Sequence, residues 1–85
     1  MRLSISYFAW VRERMGVDGE DAEVPDDART IIDVVRWLAA RDARGAAAFA
    51  DEQRIRAAID NAMAPLDTAI AGARELALFP PVTGG

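Results

Sequence analysis

One long amphipathic helix pattern lies in the middle of this 85-residue chain and limits the folds available to it. Thr30-Ile31-Ile32-Asp33 has the form of a capping box, in which a hydroxyl and a carboxylate satisfy free N–H groups at a helix start. The pattern predicts a helix from Ile31 to about Arg41, with an apolar stripe made by Ile31, Val34, Val35, Leu38 and Ala39. Such a stripe has to be covered by a second layer of structure.

Segments of alternating polarity on both sides of the helix predict the strands of that layer. Arg2 to Phe8 alternates with its larger side chains on one face, and the short acidic segment Ala22 to Val24 is expected to pair with it as an edge strand. Ala9 to Met15 predicts a short helix that ends at Gly16. Beyond the long helix, Ile55 to Ile59 and Glu75 to Phe79 alternate again, residues 63–70 predict a weak strand, and residues 44–53 a short helix or an irregular linker.

This order of elements favours an α+β fold in which a mixed sheet packs on one face of the main helix, with the first and last strands adjacent and parallel. That architecture is the ubiquitin-like β-grasp. We expect a folded body over residues 1–79 and an extended C-terminal tail over residues 80–85.

The tail has a composition that suits delivery of its terminus into another protein. Pro80 has no N–H for a strand ladder, and Pro80-Pro81 favours an extended exit. Six extended residues reach roughly 20 Å, and Gly84-Gly85 has no side chain to block a narrow channel. The working group is expected to be the carboxylate of Gly85.

Composition excludes several functional classes. The chain contains no Cys, His or Lys, so thiolate catalysis, Cys-ligated metal sites and Schiff-base chemistry are excluded, and the commonest general base is missing. A net charge of -4 argues against nucleic acid or anionic membrane as a partner and favours a basic protein. No hydrophobic targeting segment is found, which predicts a cytoplasmic location.

Two segments carry a resemblance to a known family. YFAWVRERMG at Tyr7 to Gly16 and LFPPVTGG at Leu78 to Gly85 resemble the corresponding motifs of the sulfur-carrier subunits of molybdopterin synthase. The resemblance implies that Gly85 is adenylated by a partner enzyme that uses ATP, converted to a thiocarboxylate, and used to donate sulfur to cyclic pyranopterin monophosphate. It implies no cofactor on this chain and no catalytic activity of its own.

The same resemblance implies a docking surface for the large catalytic subunit, in an expected heterotetramer. Its matching positions are Phe8, Arg12, Met63 and Phe79, followed by the tail residues Pro80, Pro81, Val82 and Thr83. Phe8 and Phe79 are expected on the outer face of the sheet, where two rings together form an apolar patch.

Two other functions stay open at this point. One is a sulfur carrier for thiamine or tRNA thiolation, although the Phe79 to Pro81 lead-in favours the molybdopterin pathway. The other is a ubiquitin-like modifier or a plain interaction domain, in which Gly85 forms an isopeptide bond or has no chemical role.

Overall fold

The computed structural model of the protein describes residues 1–81, and in it the long helix covers one face of a five-stranded sheet. The strands are β1 (Arg2–Tyr7), β2 (Gly19–Glu23), β3 (Arg56–Ile59), β4 (Ala62–Ala64) and β5 (Glu75–Phe79). The helices are α1 (Ala9–Met15), α2 (Ile31–Arg41) and α3 (Ala43–Ala48), and a 3₁₀ turn spans Glu52–Arg54.

The strand order β2-β1-β5-β3-β4 places the first and last strands side by side at the centre of the sheet. β1 and β5 run parallel, with Ile5 opposite Leu76 and Tyr7 opposite Leu78, and the other pairs are antiparallel. The predicted α+β fold and ubiquitin-like β-grasp are therefore confirmed, as is the parallel pairing of the terminal strands.

The inner face of the sheet and the stripe of α2 form one apolar core. The fully buried side chains include nine that the sequence pattern predicts, namely Leu3, Ile5, Tyr7, Ile31, Val34, Val35, Leu38, Leu76 and Leu78. The capping box is present, because the Asp33 N–H donates to Thr30 Oγ1 at 3.3 Å and the Thr30 N–H donates to Asp33 Oδ2 at 3.1 Å. Trp37 is half-buried and packs against the core, in line with a structural role.

Several predicted boundaries were wrong. The edge strand predicted over Ala22 to Val24 is β2, which begins earlier, at Gly19. A side chain at Gly19 would lie 2.8 Å from the Ile5 carbonyl oxygen, so only glycine allows this close pairing with β1. Phe8 lies just beyond β1 and is the N-cap residue of α1. The ambiguous segment 44–53 contains most of α3, whose Gly45 packs directly on the backbone of α2, and the weak strand is limited to β4.

The turn between β3 and β4 also fixes the start of β5. Asp60 and Asn61 have φ values of 47° and 71°, the left-handed pair that a two-residue hairpin requires. The Asp60 carboxylate accepts hydrogen bonds from the N–H groups of Glu75 and Arg74, at 2.9 and 3.0 Å. These two bonds lower the pKa of Asp60. The polar turn thus anchors the strand that leads to the tail.

None of the helices within residues 1–81 is long and apolar enough to cross a membrane.

Candidate functional site: the end of the sheet where the tail begins

The C-terminal end of β5 is flanked by the end of β1 and the beginning of β3. The Phe8 N–H donates to the Leu78 carbonyl at 3.2 Å on one side, and Arg56 is paired with Phe79 on the other. Pro80 and Pro81 follow, and neither can donate to a neighbouring strand. The ladder therefore stops here, between two strands that hold the last residues of β5 in place.

Val82, Thr83, Gly84 and Gly85 lie outside the described residues. Their predicted roles in channel insertion and sulfur transfer stay predictions. The described structure ends at Pro81, which like Pro80 is half-buried.

The outer face of the sheet carries small side chains next to a few large apolar ones. The register aligns one row across all five strands, made of Gly19, Ser6, Ala77, Ala58 and Met63. Phe79 lies two residues beyond Ala77 on the same face and is half-buried. Phe8 is 51% exposed and Met63 is 68% exposed. A flat surface with apolar side chains at its margins is suited to close contact with another protein.

Arg12 joins this surface at its β2 side. Together with Ser6, Phe8, Gly19 and Asp21 it lines a shallow depression beside β1. The structure thus brings Arg12 and Phe8 together, and it places Phe79 beside Phe8 across the β1–β5 pair. Met63 lies on the opposite margin, two strands beyond β5. We call the surface that contains Phe8, Arg12, Met63 and Phe79 the docking face.

Ala9 lies between Phe8 and Trp10 at the end of β1, and the side chains of these two residues lie in different environments. Its φ of 53° is in the left-handed region, which costs a residue with a side chain on the order of 1 kcal/mol. This single reversal ends β1 and starts α1, so that Phe8 remains exposed beside the sheet whereas Trp10 packs at the edge of the core.

An ionic network between α2 and the sheet holds the β1 end in place. Arg41 donates to both oxygens of Glu20 at 2.8 Å, and the Tyr7 hydroxyl donates to Glu20 Oε2 at 2.7 Å. The hydrogen bond from Arg41 is the largest cause of the lowered pKa of Glu20. The pKa of Tyr7 is raised, first by burial and then by its hydrogen bond to Glu20. A second pair, Arg36 with Glu52 at 2.8 Å, ties α2 to the turn before β3.

Sequence reasoning missed these contacts because the partners are far apart along the chain. It also missed two arginines, Arg14 and Arg54, whose guanidinium carbons lie 4.4 and 5.3 Å from the centroid of the Trp10 ring. The i, i+4 spacing of Trp10 and Arg14 is a visible signal for one of them. Within residues 1–81, no three carboxylates are grouped so as to hold a metal ion.

The comparisons with known proteins extend over nearly the whole chain. The ThiS family matches residues 5–85, which include both motifs and the whole of the docking face. The chain belongs to the ThiS family. One relative is the molybdopterin synthase sulfur carrier subunit of Haemophilus influenzae. It is 37% identical to this protein, and the alignment covers 98% of this chain and 99% of the relative. The protein of the same name from Escherichia coli is 35% identical with the same coverage. The resemblance inferred from the two motifs is thus confirmed.

Solved structures of similar fold include two determinations on Haloferax volcanii proteins. SAMP1 superimposes with a TM-score of 0.71 at 28% identity, covering 100% of both chains. Small archaeal modifier protein 1 gives a TM-score of 0.63 at 25% identity, covering 95% of this chain and 98% of the other. Both support the β-grasp assignment for this member of the ThiS family.

Proposed function

We propose that this protein is the sulfur-carrier subunit of a molybdopterin synthase. The main support is the nearly full-length similarity to two subunits of that name, together with a central strand that ends in Pro80-Pro81 beside an exposed apolar face. The large catalytic subunit is the proposed partner at the docking face, in a heterotetramer located in the cytoplasm.

The chemistry proposed for Gly85 follows from the properties of a terminal carboxylate. With a pKa of about 3.3 to 3.7 it is ionised at neutral pH and is a poor electrophile. A partner enzyme therefore transfers AMP from ATP to this carboxylate, with release of pyrophosphate. A sulfur nucleophile then displaces AMP to leave a thiocarboxylate. When the sulfur passes to cyclic pyranopterin monophosphate, water restores the carboxylate and the carrier is ready for another cycle.

The described residues of this chain contribute binding and presentation. Glu20, Arg41 and Tyr7, at the side of β1, are bound to one another in structural contacts. The catalytic side chains are accordingly proposed to lie on the activating enzyme and on the large subunit. The ATP is likewise proposed to bind the activating enzyme, and this chain is proposed to bind no cofactor.

Intact-mass analysis tests the carrier chemistry. The protein is co-expressed with the activating enzyme and a sulfur source, and we expect a mass gain equal to replacement of one oxygen by sulfur. A variant with one residue appended after Gly85 retains the fold and is expected to stay unmodified. An unchanged mass of the wild-type chain, or an equal gain in the extended variant, would refute the assignment to the terminus.

A second measurement separates sulfur-carrier pathways. The thiocarboxylated chain is mixed with the large subunit and cyclic pyranopterin monophosphate, and molybdopterin formation is followed. Product formation supports the proposed pathway. A carrier that acquires sulfur but forms no molybdopterin with a competent large subunit belongs instead to thiamine or tRNA thiolation.

The similarity to small archaeal modifier protein 1 favours a protein modifier as the second candidate. A modifier forms isopeptide bonds between Gly85 and lysines of other proteins, and this chain has no lysine on which to build a polymer of itself. Single conjugates to other proteins in the co-expression experiment, lost when Gly85 is deleted, would support that function.

A further inference from the structure

Trp10, Arg14 and Arg54 form a cluster that sulfur transfer does not explain, and we call it the Trp10 cluster. Trp10 and Arg14 lie one turn apart on α1, whereas Arg54 comes from the 3₁₀ turn before β3. Both guanidinium groups lie within cation–π distance of the same indole ring, at 4.4 and 5.3 Å. One indole ring therefore holds two positively charged groups from different parts of the chain.

The topology places the Trp10 cluster at the origin of the tail. β1 runs parallel to β5, so the residues after Tyr7 lie at the same end of the sheet as Phe79. β3 runs antiparallel to β5, so the residues before Arg56 lie at that end too. Trp10 and Arg54 therefore meet near the point where Pro80 leaves the sheet, next to the docking face.

The charges of the Trp10 cluster are available for an external partner. Arg14 and Arg54 are exposed, and neither forms an ion pair with another of residues 1–81. The two carboxylates closest to Arg54 in sequence are engaged elsewhere: Asp51 accepts from the Gln53 N–H, and Glu52 pairs with Arg36.

A second tryptophan in the same chain shows the contrasting arrangement. Arg41 lies 5.1 Å from the centroid of the Trp37 ring, but its guanidinium is already bound to both oxygens of Glu20. Arg41 is therefore a structural residue whose charge is balanced within the fold. The Trp10 cluster has the same stacking with no carboxylate supplied among the described residues.

We propose that the Trp10 cluster binds carboxylate side chains on the surface of the protein that receives the tail. This inference rests on the proposed function, because it assigns the partner of the same docking event. Exposed guanidinium groups held by an indole ring present their N–H donors in a fixed direction, which suits paired recognition of carboxylates. Around the tail exit they also orient an otherwise acidic protein so that the tail end approaches the partner first.

A protein carboxylate fits this position better than the phosphate of a bound nucleotide. Gly85 is the fourth residue after Pro81, and four residues in an extended conformation span at most about 14 Å. In the proposed docking the nucleotide chemistry takes place at Gly85, the last residue of the tail, whereas the Trp10 cluster lies where the tail begins and would face the surface around the entrance of a tail-binding channel. The net charge of -4 predicts a basic partner overall, but the two exposed arginines of the Trp10 cluster favour an acidic surface directly opposite them.

A titration that needs no natural partner tests the carboxylate site. Hexaglutamate is added to the ¹⁵N-labelled protein at an ionic strength of about 0.01 M, where the Debye length is about 30 Å. We expect a saturable shift of the Trp10 indole N–H and of the Arg14 and Arg54 side-chain N–H signals. The Trp37 indole N–H is the internal control and should stay in place. An unmoved Trp10 signal, or tighter binding of AMP than of hexaglutamate, would overturn the proposal.

Association kinetics with the large subunit test the docking role. The double variant Arg14→Glu/Arg54→Glu is compared with Arg29→Glu/Arg74→Glu, which makes an identical change in charge at exposed positions away from the tail exit. At about 0.01 M ionic strength the first variant should associate about tenfold more slowly and the control less than about twofold more slowly, and at about 0.15 M the difference should shrink.

The outcomes of the kinetic experiment separate this inference from the proposed function. Equal association rates for the two double variants, with a wild-type complex that forms normally, overturn the docking role of the Trp10 cluster and leave the sulfur carrier intact. If the wild-type chain forms no complex with the large subunit, the proposed function fails, and the docking role assigned to the cluster fails with it. The hexaglutamate titration then decides whether the cluster binds carboxylates at all.

Discussion

Replacement of Met63 by alanine gives a direct test of the docking face. Met63 is 68% exposed in the free protein, so its removal leaves the core unchanged and should alter the free energy of unfolding by less than about 0.5 kcal/mol. Complete burial of a methionine side chain contributes about 1.5–3 kcal/mol. Since about two thirds of the side chain remains to be buried on docking, the contribution to binding is about 1–2 kcal/mol.

That contribution corresponds to a change in affinity that calorimetry resolves easily. With tenfold in Kd for each 1.4 kcal/mol, Met63→Ala should weaken binding to the large subunit by about 5- to 30-fold. The matched control is Val17→Ala, which shortens an apolar side chain that is 43% exposed in the turn between α1 and β2 and is not among the residues assigned to the docking face. It should change Kd by less than about twofold. An unchanged Kd for Met63→Ala, or an equal loss of affinity for Val17→Ala, would refute the assignment of Met63 to the docking face.

Three further predictions concern the fold that presents this face. Gly45→Ala places a Cβ 1.8 Å from the Leu38 carbonyl oxygen, so it should lower the free energy of unfolding measured in urea by at least about 2 kcal/mol. A stability close to that of the wild type would contradict the close contact between α2 and α3. Leu78→Ala opens a cavity under a fully buried position and should cost about 2–5 kcal/mol in the same assay; a loss below that range would argue against its central place in the core. The pKa of Glu20 is lowered in the folded protein, so the stabilisation by its carboxylate is complete above about pH 4.5 and is lost as the pH falls further. Glu20→Gln should therefore flatten the decline in Tm below that pH. An unaltered decline of Tm with falling pH would count against the network of Glu20, Arg41 and Tyr7.

Predictions from the sequence succeeded where neighbouring residues carry the signal. The capping box at Thr30, the apolar stripe of α2 and the alternation of β5 are local patterns, and each appears as expected. Predicted boundaries were wrong where the backbone of a residue far away in the sequence determines the structure. Gly19, for example, belongs to β2 because it lies against the carbonyl of Ile5. For residues 44–53 the sequence left a short helix or an irregular linker open; the structure has the short helix α3, and its packing on α2 through Gly45 is a contact that no local pattern shows.

The same distinction between local patterns and long-range contacts applies to the candidate site. The sequence alone determined the motif that ends in Pro80-Pro81 and Gly84-Gly85, the lack of Cys, His and Lys, and the residues Phe8, Arg12, Met63 and Phe79 that resemble those of the carriers. Only the tertiary structure decided that Trp10 contacts both Arg14 and Arg54 where the tail begins. Periodicity reports contacts between residues a few positions apart, whereas these contacts depend on β1 and β3 flanking β5, a pairing that forms only when the whole core is assembled.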